Sequence, residues 1–223
     1  MKHSGHDNGA SRSVLDGASS PPRRRGRYAE AARNDARLLD AAREIIATRG
    51  ADAPVAAIAQ RAGVGIGSLY RRYGSKTELL QQLCLLAMEQ SIAAAEAGMA
   101  EPDPWYGLTG YVRACVALRS GALAPLAGRV PTTPEMHEAA ARGLALLEQL
   151  VARAGLRPDV SPLDVAWLIE LFSKTHPHNA SAQDELRVHE RLLTIALDGL
   201  RATPRSALPG PAPTIEQYTG RWT

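Results

Sequence analysis

The chain is 223 residues long, 45% apolar and 22% charged, with a formal net charge of +3. It can therefore bury a real core, in one large domain or in a small one joined to a medium one. It has no run near the roughly 18 apolar residues that a membrane span requires. Its polar, arginine-ended N-terminus does not read as a secretory signal, so a cytoplasmic protein is expected. Charge is uneven. Residues 1–80 hold 14 Lys or Arg against 8 Asp or Glu, and residues 81–223 hold 12 against 15. A basic front end on a mildly acidic remainder points to a polyanionic partner for the front end alone. Cys84 and Cys115 fit no metal-ligand spacing and read as a reduced, buried pair, with a redox switch as the sharper alternative.

Residues 1–27 are rich in Ser, Gly, His and Arg without hydrophobic periodicity and read as a disordered basic tail. A first helix is expected over about 35–49, where Leu38, Ala42, Ile45 and Ile46 form one stripe and Gly50 stops it. A short second helix, about 55–62, has Pro54 near its first turn and Val55, Ile58, Ala59 and Ala62 facing inward. Gly63 breaks the chain. A third, about 66–73, buries Leu69 and Tyr73 and ends at Gly74. Ser75-Lys76-Thr77-Glu78 is a capping box that starts a long fourth helix reaching about Ala97. Five further helices are expected near 103–120, 122–128, 133–154, 162–175 and 182–202. Ser161-Pro162-Leu163-Asp164 opens the fourth of these with a cap and a first-turn proline. Residues 204–223 carry four prolines and read as a second loose tail. The fold class is all-α, with about nine helices.

Two short helices around a glycine turn, braced by a longer helix before them, make the three-helix unit that puts its last helix into the major groove. With Leu69 and Tyr73 buried, Ile66, Gly67, Ser68, Tyr70, Arg71 and Arg72 lie on or beside the exposed side. Hydroxyl, phenol and guanidinium groups are what bond phosphates and base edges. The stretch from Ile58 to Lys76, Ile-Ala-Gln-Arg-Ala-Gly-Val-Gly-Ile-Gly-Ser-Leu-Tyr-Arg-Arg-Tyr-Gly-Ser-Lys, resembles the helix-turn-helix signature of the TetR family of transcriptional regulators. The likeness extends over about fifty residues, from Leu38 to Leu80.

The resemblance implies a DNA-binding domain over 28–80 and a helical ligand-binding and dimerisation domain over 81–203. It also implies roles for single residues. Tyr70 and Lys76 stand where the family contacts the phosphate backbone. Ser68 occupies a Ser/Thr position near the backbone or a base edge, and Gly67 a glycine that lets the helix approach the groove wall. Arg72 should add a phosphate or guanine contact, and Arg71 is a plausible base reader. Three positions depart from the family pattern. Gly65 is a weaker cap than Ser or Thr, Gly74 replaces a frequent proline, and Ala56-Ala57 replace polar residues. Gly65 and Ile66 therefore leave the preferred bases open. Arg23, Arg24, Arg25 and Arg27 suit either a minor-groove arm or a non-specific, salt-dependent tail.

For the larger half, the resemblance implies a small-molecule pocket and dimerisation through the last two long helices. Leu192, Ile195, Ala196 and Gly199, with Val165, Leu168 and Ile169, supply two apolar faces suited either to that interface or to an internal core. Candidate pocket residues are Met88, Trp105, Tyr111, Cys115, Leu118, His137, Trp167, Leu171 and Phe172, side chains that a ligand cavity and an ordinary core use equally. His176, His178 and His189 lack evident partners for a metal. No cofactor is expected. No GxSxG, HExxH, phosphate-loop or paired-carboxylate motif supports catalysis. The expected protein is a homodimeric repressor on a pseudo-palindromic operator, released by an unknown effector. The alternatives are an activator or ligand-independent regulator and, further off, a helical-bundle enzyme or carrier.

Overall fold

The computed structural model describes residues 22–174, 182–201 and 207–219, with side chains from residue 30 onward except at 182, 185 and 219. All regular structure among the described residues is helical. The chain divides into two units, Met1–Arg33 and Asn34–Thr223. The described part of the first is a helical stretch over 22–33, and the features that follow lie in the second. The side chains of Arg23, Arg24, Arg25 and Arg27, together with His176 and His178, fall outside the described residues.

Helix α1 spans Pro22–Arg49, thirteen residues longer at its start than the apolar stripe indicates. The added segment is rich in Arg and Ala, which are good helix formers, and Pro22 suits a first helical turn. It lacks an apolar stripe, so periodicity alone reads it as a tail. Helices α2 (Val55–Ala62) and α3 (Ile66–Tyr73) fall where the sequence places them. Gly63 ends α2 at φ 67° and donates its N–H to the Ala59 and Gln60 carbonyls, which closes the helix without a Cβ penalty. Leu38, Leu39, Ala42 and Ile46 of α1 pack on Val55, Ile58, Ala59, Leu69 and Tyr73 as one buried cluster.

Helix α4 (Lys76–Ala100) leaves this head and runs into the larger half. Ser75 Oγ accepts from the Glu78 N–H at 3.1 Å, one half of the expected capping box. Its other half is not made: the Ser75 N–H donates to the Tyr73 carbonyl, and the Glu78 carboxylate lies over Gly74. Leu79, Leu80, Leu83 and Cys84 complete the head's core. Helix α5 (Pro104–Ala117) is capped by Asp103, whose carboxylate accepts from the Trp105 and Tyr106 amides. A 3₁₀ segment, Ser120–Leu126, follows where an α-helix over 122–128 was expected. Pro125 inside it lacks the amide that a longer α-helix would use. Helix α6 spans Pro134–Ala154, α7 Pro162–Lys174 and α8 Ala182–Arg201. Ser161 and Asp164 cap each other at the start of α7, with Ser161 N–H donating to the Asp164 carboxylate at 2.7 Å.

The ends of α4 and α5 cross where two glycines meet. A Cβ on Gly107 would stand 2.4 Å from the Gly98 carbonyl oxygen, and one on Gly98 2.6 Å from that of Gly107. A second core, built on Ala95, Leu108, Val112, Leu150, Val165, Leu193 and Leu197, surrounds this crossing. Val165 and Ile169 belong to it, so they are core rather than interface residues. Leu192 and Ile195 of α8 stay more than half exposed, as does Leu171 of α7 at 62%.

The expected C-terminal loose tail also contains structure. Helix α9 (Ile215–Thr219) is started by a reciprocal cap: Thr214 N–H donates to Gln217 Oε1 at 2.9 Å and Gln217 N–H to Thr214 Oγ1 at 3.3 Å. The Thr-x-x-Gln spacing that signals this is hidden among prolines. Ahead of it, the Leu208 N–H donates to Asp159 Oδ2 at 3.0 Å. Arg157 grips the same carboxylate through Nε at 2.6 Å and Nη2 at 2.8 Å.

Candidate functional site

The eight residues of α3 divide cleanly. Leu69 and Tyr73, four apart, are buried, whereas Ile66, Gly67, Ser68, Tyr70, Arg71 and Arg72 are exposed. Gly65 caps the helix with extended backbone and no side-chain bond, as expected of a residue without a hydroxyl. A Cβ on Gly67 would meet nothing within 4 Å, so the glycine leaves this face flat rather than relieving an internal clash. Tyr70 is 43% exposed, its ring standing off the head. Arg71 donates from Nη2 to Ser68 Oγ at 3.0 Å, which holds guanidinium and hydroxyl together one turn apart.

Arg72 and Lys76 are more engaged than their sequence positions imply. Arg72 Nη2 meets Asp35 Oδ2 at 2.7 Å, and its guanidinium lies 5.3 Å from the Tyr73 ring centroid. Tyr73 donates its hydroxyl to the other oxygen of the same carboxylate, also at 2.7 Å. Asp35 of α1 thus clamps two consecutive residues of α3. Burial, with the carboxylate bond added, pushes the Tyr73 phenol well above its ordinary range, so it remains a donor. Lys76 Nζ reaches back from the first residue of α4 to the Ala53 carbonyl at 3.1 Å and the Ala51 carbonyl at 3.5 Å. An ammonium has three donors, which leaves capacity for a third acceptor at the helix N-terminus, where anions are favoured. Gly74, at φ 66° and ψ −51°, holds a conformation that proline's fixed negative φ forbids. The departure from a frequent proline is therefore built into the turn.

A cavity of about 580 Å³ lies in the larger half, walled by α4, α5, the 3₁₀ segment, α6, α7 and α9. It sits on the seam of the two cores: Cys84, Ala87, Leu123 and Met136 come from the head's cluster, and Tyr111, Cys115, Leu147 and Ile169 from the other. Of the expected pocket residues, Met88, Tyr111, Cys115 and His137 line it. Trp105, Leu118, Trp167, Leu171 and Phe172 do not. Trp105 lies under the Arg201 guanidinium at 5.2 Å, and Leu118 caps the end of α5. Phe172 meets the His189 ring edge-on at 5.3 Å, with a His189 ring nitrogen 3.0 Å from its carbonyl oxygen. Trp167 meets Tyr218 edge-on at 5.8 Å. On α7 the cavity face is Ala166, Ile169 and Glu170, and Trp167 and Leu171 turn away from it. Ile215 and Tyr218 of α9 also line the cavity.

Burial pushes the Cys84 thiol up to about 12 and the Cys115 thiol above its ordinary value, the latter partly offset by Tyr111, Ser91 and Ser120. Both cysteines are free and protonated at neutral pH, so they act as small apolar walls. Among the described residues there is no cluster of ligating side chains for a metal ion, and no helix is long and apolar enough to cross a membrane.

Fold and site together define a helix-turn-helix DNA-binding regulator with an all-helical second half. Residues 38–83 match the family described as bacterial regulatory proteins, tetR family. Solved structures with the same fold include a TetR transcriptional regulator from Streptomyces coelicolor, 23% identical, covering 76% of this chain and 99% of its own, at TM-score 0.55. A TetR transcription regulatory protein from Mycobacterium vanbaalenii is 28% identical over 78% of this chain and 99% of its own, at TM-score 0.54. The TetR-family regulator PfmR from Thermus thermophilus is 22% identical over 76% and 97%, at TM-score 0.56. No curated protein sequence matches the chain significantly. The family match thus covers the helix-turn-helix head and the start of α4, and the likeness to solved regulators extends the fold over the rest of the described chain.

Proposed function

We propose that the protein is a homodimeric repressor that grips a pseudo-palindromic operator through α3 and releases it when a small molecule fills the cavity. The supporting observation is the continuity of α4. Lys76 at its first residue holds the turn between α1 and α2, and Cys84, Ala87, Met88, Ser91 and Ile92 of the same helix line the cavity. A ligand that favours one tilt of α4 therefore biases the position of the head, and differential affinity for the two positions is all that release requires. Val188, Leu192 and Ile195, at i, i+4 and i+7 on α8, form an exposed apolar stripe, and Leu171 of α7 is exposed as well, surfaces suited to a two-fold interface. Such a dimer would set two α3 helices about one DNA turn, roughly 34 Å, apart.

Sequence-selective binding to the protein's own upstream DNA, read by fluorescence anisotropy at physiological salt, tests this proposal. Tyr70→Ala should weaken it at least about tenfold, the scale of one lost phosphate or base contact of about 1–3 kcal/mol. Gly67→Ala should weaken it similarly while leaving thermal stability unchanged or slightly raised, since the added methyl meets only open space. Binding that is equally tight to unrelated DNA and indifferent to both substitutions would overturn the reading.

A further inference from the structure

Ile215 and Tyr218 belong to the cavity wall, yet the segment that carries them is not built like the rest of it. Elsewhere the wall includes fully buried residues, such as Cys115 of α5, Met136 and Leu147 of α6 and Ile169 of α7. From 207 to 218 no residue is buried: Pro213 and Tyr218 are half-buried, and the other ten are exposed. Helix α9 is five residues long, far below the length at which a helix holds by itself. Its order comes from its cap and from what it touches.

The segment is held near both ends. At the start, the Leu208 N–H donates to the Asp159 carboxylate at 3.0 Å. At the far end, the Tyr218 ring meets Trp167 of α7 edge-on at 5.8 Å and packs against the second core. Between the two holds, Pro209, Pro211 and Pro213 fix their own φ and carry no N–H. Gly210 stands among them at φ 75°, and a Cβ there would meet nothing within 4 Å. A glycine with open space around it turns freely, so stiff arms meet at one loose joint. A stretch with few buried apolar contacts opens at small cost, whereas moving Cys115 or Ile169 would break the core. The Asp159 tether keeps an opened α9 close by, so that reclosing is intramolecular.

We propose that residues 207–219 are a lid on the cavity, hinged at Gly210, which opens to admit a small molecule and closes Ile215 and Tyr218 over it. The lid rests on the cavity being the effector site. A lid and a fixed wall differ in kinetics: removing a wall speeds release alone, whereas removing a lid speeds entry too, since opening no longer precedes binding. The probe is N-phenyl-1-naphthylamine, an uncharged apolar dye that brightens away from water. It is mixed by stopped flow with the full chain, with a chain ending at Ser206, and with Tyr218→Ala. In the full chain the observed rate should level off at high dye concentration, as opening becomes limiting. The shortened chain should bind at least about fivefold faster, with a rate that rises linearly, and should release faster as well. Tyr218→Ala keeps the tether but loses the ring against Trp167, and should fall between the two. Dye bound to the full chain should slow hydrogen exchange of residues 215–219 severalfold. Association that is equally fast in all three proteins overturns the lid, whatever happens to release, and leaves the effector reading standing. Failure of the dye to bind any of them overturns both. Tyr218→Ala decides the matter where the shortened chain does not fold.

Discussion

Replacing Asp35 by alanine removes the clamp that holds α3 to α1. The side chain is 17% exposed and makes two bonds of 2.7 Å, one to the Tyr73 hydroxyl and one to Arg72. Tyr73 is only 7% exposed, so its hydroxyl loses a charged acceptor with little water to replace it, at a cost of about 1–3 kcal/mol. The Arg72 pair is 43% exposed on the arginine side, and solvent screening reduces its share to roughly 0.2–1 kcal/mol. Asp35→Ala should therefore destabilise by about 2–3 kcal/mol, lowering the melting temperature by roughly 5–10 °C in a chain of this size. Tyr73→Phe loses one bond and leaves Asp35 with Arg72, for about 1 kcal/mol. Because the two act through one contact, the double variant should fall short of the sum by about 1 kcal/mol. Urea unfolding of the four proteins completes the cycle. A loss under about 0.5 kcal/mol for Asp35→Ala, or strict additivity, refutes the clamp.

Gly107→Ala should destabilise by about 2–3 kcal/mol, since its methyl meets a backbone oxygen that cannot swing aside. Gly110→Ala, on the same helix with nothing within 4 Å, should stabilise by roughly 0.5–1 kcal/mol. Similar melts for the two would remove the steric argument. The Arg157 guanidinium and the Leu208 N–H hold the Asp159 carboxyl down at about 2. A depressed carboxyl gives stability that is present above its ordinary range and lost as pH falls through the folded value. Protection of the Leu208 amide should therefore persist from neutrality to about pH 4 and fade toward pH 2. Asp159→Asn should raise exchange across residues 207–219 severalfold at neutral pH, and unchanged exchange would detach that anchor from the segment's order.

The head was legible because several local signals agree there. The stripe of Leu38, Ala42 and Ile46, the stops at Gly63 and Gly74, and the Ser75 cap all point to one arrangement, and α2 and α3 fall at the expected residues. Helix α7 shows the opposite case. Its sequence, Pro-Leu-Asp-Val-Ala-Trp-Leu-Ile-Glu-Leu-Phe-Ser-Lys, is apolar on nearly every side, so periodicity cannot choose an inner face. The structure buries Val165 and Ile169 and turns Trp167 and Leu171 outward. It also buries Glu170, a residue type that ordinarily marks the solvent side. Nothing within α7 predicts that inversion. It depends on Gly121, nearly fifty residues earlier in the chain. Asp35 escaped notice for the same reason, since its partners Arg72 and Tyr73 lie 37 and 38 residues away.

The α6 wall has a consequence for how such a protein changes over generations. The cavity exists because Ala139, Ala140, Ala141 and Gly143 are small, so its volume is set by side chains that are missing rather than by a dedicated scaffold. Ala140 and Ala141 are exposed and belong to neither buried core. Single substitutions there can reshape the cavity without disturbing α3 or the α4–α5 crossing. On the proposed function, recognition of DNA and recognition of a small molecule would be free to drift separately, one residue at a time.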